Sequence, residues 1–200
     1  MPLVNIPSWN ARGVIPPVNM LVATSAERSP YKVSLLEVIQ EFGTTPERRC
    51  ILDGFLRYRA ALHAVGMMSG FQWLDGSFFE NIELIEARPP SDMDVVSFFM
   101  LAPGQTQLTM LTMNPTLFPT DEVGHKAVKV AYMVDGFMQG LQAAPHRLVS
   151  SATYWYSMWS HRRDLSWKGY VEVDMSPEHD GDAIAALAAL SVVNAAEEVV

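Results

Sequence analysis

Asp92 and Asp94 stand two residues apart at the head of the apolar run "VVSFFM". Successive side chains of a strand point to opposite faces, so residues i and i+2 share one. Two carboxylates on one face repel, and burying them unpaired is costly. A positive group is therefore expected between them. Mg²⁺ or Mn²⁺ suits that place, because a hard cation takes one or two carboxylates together with substrate phosphate oxygens. A second ion ~3.5–4 Å away would let the pair clamp the attacking and leaving oxygens of a phosphoryl displacement. Gly76 and Ser77 end an expected strand over 71–75. The glycine allows close backbone approach there, and Ser77 offers a hydroxyl and an N–H to phosphate. A third carboxylate from a neighbouring strand would complete a metal site or take the proton of an attacking hydroxyl. Asp135 in "YMVDGF" is best placed for this, with Asp174 as the runner-up.

Other residue types carry two readings each. In "SHRRD", Arg162 and Arg163, with Lys168 downstream, suit contact with a triphosphate. The bland alternative is a surface cluster, or an internal ion pair with Asp164. Tyr154, Trp155, Tyr156 and Trp159 suit base stacking, yet aromatic residues at that density are more often core. His125 and His146 have no ligand partner at metal spacing and read as structural. Cys50 lies on a helix near its apolar stripe and reads as packed, and Asp75 reads as a turn cap.

The elements that must position these residues are partly legible. Residues 1–30 hold five prolines and read as an extended arm over the surface, leaving 31–200 as a single domain. "SLLEVIQEFG" predicts a short helix stopped by Gly43. "TTPERRCILDGFLRYRAALHAVG" predicts a long one, capped by Thr45, with Pro46 and Glu47 in its first turn. Ile51, Phe55, Tyr58, Leu62 and Val65 form its apolar stripe, and Gly66 ends it. Strands are expected over 71–75 and 92–100, separated by a long connection ending at Pro90. "TQLTMLTMN" reads as strand or buried loop, and "TLFPTDEVGHKA" as a short helix or loop. "VKVAYMVDGFMQ", 128–139, reads as a strand with Asp135 near its end. Residues 147–164 lean to helix, 168–175 to strand, and 182–199 to a helix whose last turn, carrying Glu197 and Glu198, is expected to fray. Strands interleaved with helices give an α/β or α+β chain.

Composition narrows the class. The chain has 200 residues, 49% hydrophobic and 18% charged, which predicts a globular domain with a substantial core. The net charge of −8 argues against general binding to a nucleic-acid backbone, though not against nucleotide bound through a metal. One cysteine excludes an internal disulfide framework and a cysteine-rich zinc site. The N-terminus lacks a basic segment followed by an apolar one, and no apolar run approaches the ~20 residues of a spanning helix. A cytoplasmic protein without membrane attachment is expected.

"DGSF" followed by "PPSDMDVV" resembles the signature of the DNA polymerase β-like nucleotidyltransferase superfamily. That signature is a Gly-Ser, a spacer, then Asp-x-Asp opening a strand, with a third acidic residue on a later strand. Gly76, Ser77, Asp92 and Asp94 match it position by position, and Asp135 is the expected third member. "NARGVIPP", "FGTTPERR", "DGSFFEN" and "YWYSMWSHRRDLSWKGYVEV" extend the likeness, over roughly residues 10–175, to a family of minimal bacterial nucleotidyltransferase-like proteins. The resemblance implies an α+β fold, a small mixed sheet flanked by helices. It also implies binding of a nucleoside triphosphate such as ATP with Mg²⁺ or Mn²⁺, and nucleotidyl transfer. Two features depart from the pattern. The spacer "FFENIELIEARPP" is longer than usual, where a helix N-terminus normally helps to hold phosphate, and no separate substrate domain is evident.

Three functions follow as expectations. The first is a nucleotidyltransferase acting on a hydroxyl of a protein, an RNA end, a small molecule or a second nucleotide, alone or with a protein partner. The second is a non-catalytic binding module of the same fold, as an antitoxin or anti-phage defence subunit would be; a lost carboxylate would mark it, and none is lost. A metal-dependent phosphohydrolase is third, and would want histidines that the spacing does not supply.

Overall fold

Capping residues set the first two helices. Ser34 accepts a hydrogen bond from the Glu37 N–H at 3.1 Å and opens α1 (Leu35–Phe42), and Gly43 follows its last residue. Thr45 accepts from the Arg48 N–H at 3.3 Å and opens α2 (Pro46–Ala64), with Pro46 where a missing N–H costs nothing. The computed structural model describes residues 3–22 and 24–197, with the side chains of 193–197 left aside. The expected fraying at Glu197 and Glu198 lies outside the described side chains.

Among the described residues, five strands form one mixed sheet in the order β1-β5-β2-β3-β4. They are β1 (Tyr31–Lys32), β2 (Gly70–Asp75), β3 (Met93–Phe99), β4 (Val134–Gly140) and β5 (Val171–Asp174). β2 runs antiparallel to β3 and β5, while β3 pairs in parallel with β4 and β1 with β5. The fold is α+β, as expected from the sequence. β2 leads into a 3-10 turn (Ser77–Phe79) and the short α3 (Ile82–Glu86). A parallel β3–β4 pair demands a crossover, and α4 (Gln107–Met113) and α5 (Glu122–Tyr132) lie within it. α6 (Pro145–Trp159) follows β4, and α7 (Asp180–Glu197) follows β5.

Period-2 alternation divides the sheet into two apolar faces. Leu74, Val95, Phe99, Val171 and Val173 join Ile51, Phe55, Tyr58 and Leu62 of α2 and Leu187 of α7 in the larger core. Trp73, Val96 and Phe98 join Trp159 of α6 and Tyr170 in the smaller one. Arg59 crosses the larger core almost fully buried. It donates to Gln72 Oε1 at 2.6 Å, to the Asp174 carbonyl at 3.0 Å and to Asp180 Oδ1 at 2.7 Å. That one guanidinium ties α2, β2, the end of β5 and the start of α7 together.

Three local expectations are corrected. "TQLTMLTMN" is helical rather than strand or loop: Thr106 caps α4 by accepting from the Thr109 N–H at 3.1 Å, and Met110 points into the core. Residues 128–132 continue α5, which Asp121 caps through the Gly124 N–H at 2.7 Å. Burial of Val128 on a helical face overrides the β-propensity of the segment. Met133, at φ +53, then breaks the helix, so Asp135 opens β4 rather than closing it. The arm also does more than cover the surface. Val14 and Ile15 are buried, and Val14 forms a bridge to Glu80. Among the described residues, no helix is long and apolar enough to cross a membrane.

Candidate functional site

Strand register assembles the carboxylates. Asp75 is the last residue of β2, Asp94 the second of β3 and Asp135 the second of β4. Asp75 pairs with Asp94, and Asp94 with Asp135. Directly paired residues share a face, so three carboxylates line up across one end of the sheet. Asp92 stands just before β3 and joins them through a shared lysine. Gly76 follows Asp75 with φ +95, and a Cβ there would lie 2.9 Å from Asp94 Oδ2. The glycine is thus required twice, by its left-handed backbone and by the carboxylate beside it.

Two lysines face this row. Lys129 of α5 is ion-paired to Asp92 Oδ2 and, at 3.0 Å, to Asp135 Oδ2. Lys168 is buried, donates to Glu80 Oε1 at 3.0 Å and lies 3.0 Å from Asp75 Oδ1. The loop bearing Gly76 and Ser77 is held from below. Arg48 of α2 donates to the Phe78 and Glu80 carbonyls, both at 2.6 Å, and to Glu83 at 2.6 and 2.7 Å. Arg162 closes the outer side, donating to Glu80 Oε2 at 2.9 Å and Glu86 Oε1 at 2.8 Å. Nearby, the buried Tyr170 hydroxyl has no hydrogen-bond partner among the described residues. Among the described residues no three His, Cys, Asp or Glu side chains are arranged as a ready metal cage. The ammonium of Lys129 holds the place between two of the carboxylates.

Burial and mutual repulsion raise the acids. Asp94 is pushed from 3.8 up to about 7, by burial first and then by Asp75, Asp92 and Asp135. Asp75 rises to about 6, by burial, with Lys168 offsetting part of the effect. Burial alone would lower Lys129 and Lys168, but their carboxylate partners hold both above the usual lysine value. Between pH ~4 and ~7 the folded chain keeps a proton on Asp94 that the unfolded chain releases, so stability falls as pH rises through that window. Asp94→Asn removes this loss. Urea unfolding should show the variant more stable than wild type at pH 8, and the advantage should vanish near pH 4.

The structure brings Asp92, Asp94, Asp135, Gly76 and Ser77 to one end of the sheet. Ser77 is half-buried at the start of its turn. Asp174 pairs with Phe71, at the far end of β2 from Asp75, and its Oδ1 accepts from the Ser176 N–H at 2.7 Å. It is not a third member. Arg162 and Lys168 lie beside the site but are engaged with Glu80, Glu86 and Asp75, and Arg163 is exposed. The lengthened spacer forms only the 3-10 turn and the five-residue α3. Trp159 packs on Tyr170 in the smaller core, Trp155 is half-buried against the partly exposed Phe137, and Tyr154 is 57% exposed. His125 and His146 are exposed. Cys50 is exposed rather than packed, because it faces outward from α2, one residue from the buried Ile51.

Sequence reasoning missed two residues. Asp75 read as a turn cap, although a carboxylate ending one apolar strand opposite Asp-x-Asp opening the next was visible. Lys129 gave no signal, because the segment holding it read as strand.

The chain belongs to DUF6932, a family of unknown function, whose model matches residues 7–174. Neither the curated proteins nor the solved structures contain a significant match to it.

Proposed function

We propose that this DUF6932 member is a divalent-metal-dependent nucleotidyltransferase, moving a nucleoside monophosphate from a nucleoside triphosphate to a hydroxyl acceptor. The observation that carries this reading is the in-register row Asp75–Asp94–Asp135, closed at one end by a glycine that only a missing side chain permits. The donor set fits the cation. It is all carboxylate oxygen, as suits Mg²⁺ and Mn²⁺, and burial together with the neighbouring carboxylates raises Asp94. Asp92, Asp94 and Asp135 would hold the metal, which when bound neutralises the phosphate oxygens and the charge that develops on them.

The remaining roles fall to the chain. Ser77 offers its hydroxyl and N–H to the β- and γ-phosphates, and Gly76 lets the backbone approach them. Asp135, half-exposed at the edge strand, takes the proton of the acceptor hydroxyl. The acceptor oxygen then bonds to the α-phosphorus as the bond to the β-phosphate oxygen breaks, and pyrophosphate leaves. Most of the rate comes from positioning and charge stabilisation rather than from covalent chemistry on the protein. The acceptor is a protein, an RNA end or a small molecule.

One observation favours the second reading, a binding module without turnover: Lys129 already neutralises Asp92 and Asp135. Two measurements separate the readings. Mg²⁺ or Mn²⁺ should raise the melting temperature, since a native-state ligand at a hundredfold excess over Kd contributes about 2.7 kcal/mol. Asp92→Asn combined with Asp94→Asn should remove the shift; an unchanged response would place the metal elsewhere. Incubation with each labelled nucleoside triphosphate, metal and a cell extract should then transfer label and release pyrophosphate. Nucleotide binding with no release under any of these conditions would favour the module.

A further inference from the structure

We infer that Lys129 is a phosphate-binding side chain held in reserve, whose ammonium occupies the metal carboxylates until a divalent cation displaces it. The inference rests on the proposed metal site and adds a residue to it. Its ammonium reaches two acids from different strands, Asp92 Oδ2 before β3 and Asp135 Oδ2 in β4, which are two of the three expected ligands. An ammonium and a divalent cation cannot share those oxygens, because like charges at contact distance repel strongly. Whichever binds excludes the other. Lys129 is free to leave: its side chain is 43% exposed, and its stem starts from α5, outside the sheet.

Leaving gives it a second task. Two of the other cations expected at a triphosphate are engaged, and the third, Arg163, is exposed. Lys168 is buried between Asp75 and Glu80, and Arg162 is ion-paired to Glu80 and Glu86. Lys129, released beside the carboxylate row, becomes a mobile positive charge within a side chain's length of the phosphates that the cation brings. Without metal the same charge is neutralised, and the carboxylates repel a polyphosphate. Metal binding and phosphate attraction are thereby joined through one side chain.

The test reads two affinities in the variant Lys129→Met, which keeps the apolar stem and loses the charge. Mn²⁺ alone, titrated by calorimetry and by the paramagnetic resonance of free Mn²⁺, should bind about tenfold tighter than to wild type. Inorganic tripolyphosphate, titrated with Mn²⁺ saturating both proteins, should bind about tenfold weaker. Lys129→Arg should return both affinities towards wild type, and Lys129→Gln repeats the experiment should the methionine variant fold poorly. Opposite signs are the signature, since a merely structural lysine would weaken both or neither. Wild type that binds Mn²⁺, with a variant that binds it no tighter or keeps its tripolyphosphate affinity, overturns the role of Lys129 while leaving the metal site standing. If neither protein binds Mn²⁺, the metal site fails and this inference falls with it. Pyrophosphate release is not used, so a catalytically silent protein is still tested.

Discussion

Asp94→Ala is expected to reduce pyrophosphate release by about a hundredfold to ten-thousandfold once an acceptor is supplied. Charge stabilisation from a bound cation is worth several kcal/mol, and ~1.4 kcal/mol is a factor of ten in rate. Asp94 is the middle of the carboxylate row, with Asp75 on one side and Asp135 on the other. Its loss therefore affects the whole site rather than one edge. Ser77→Ala should cost only a few-fold to tens-fold in nucleotide binding, because one neutral hydrogen bond contributes about 0.5–1.5 kcal/mol. The ordering of the two losses is the informative result. Steady-state assays of both variants across a range of nucleotide concentrations, reading kcat and KM separately, would establish it, and a larger loss of kcat/KM for Ser77→Ala would contradict the assigned roles. If instead Asp94→Ala keeps its biological effect while wild type never releases pyrophosphate, the binding module is the better account.

The second large effect is on stability. Arg59→Ala should destabilise the fold by about 3–5 kcal/mol, the range for removing one partner of a buried ion pair. Arg59 is 1% exposed, and its loss leaves Gln72, Asp180 and the Asp174 carbonyl without their donor. Asp53–Arg57 supplies the control. Both side chains are more than half exposed, and Arg57→Ala should lower the unfolding free energy from urea titration by well under a third of that amount. Similar effects for the two arginines would mean that burial does not set the cost.

Local signals in the sequence carried the parts that local chemistry determines. Ser34 and Thr45 cap the helices they precede, and the apolar runs at 71–75 and 92–100 became strands paired with each other. Asp92, Asp94 and Gly76 were legible because their spacing and residue types carry the constraint within a few positions. The parts that failed depend on distant partners. Residues 128–132 are β-formers by composition, and only burial of Val128 and the cap at Asp121 show why they are helical. Asp75 matters through its register with Asp94, a pairing across 19 positions that no short window contains. Lys129 meets Asp92 because the β3–β4 crossover brings α5 back over the strand ends, and a long-range contact of that kind has no sequence period.

The crossover also splits the carboxylate row between two pieces of the chain. Asp75, Gly76, Asp92 and Asp94 come from the β2–β3 hairpin, whereas Lys129 and Asp135 lie six residues apart on the returning segment, either side of the break at Met133. The two halves are joined covalently through residues 100–106, where Pro103, Gly104 and Gln105 are exposed. A protease cut or an insertion at that link would leave every hairpin residue in place and still loosen Lys129 and Asp135 as one unit. The protein could accordingly be expressed as two fragments meeting between β3 and β4, with the rejoined carboxylate row serving as the report of correct assembly.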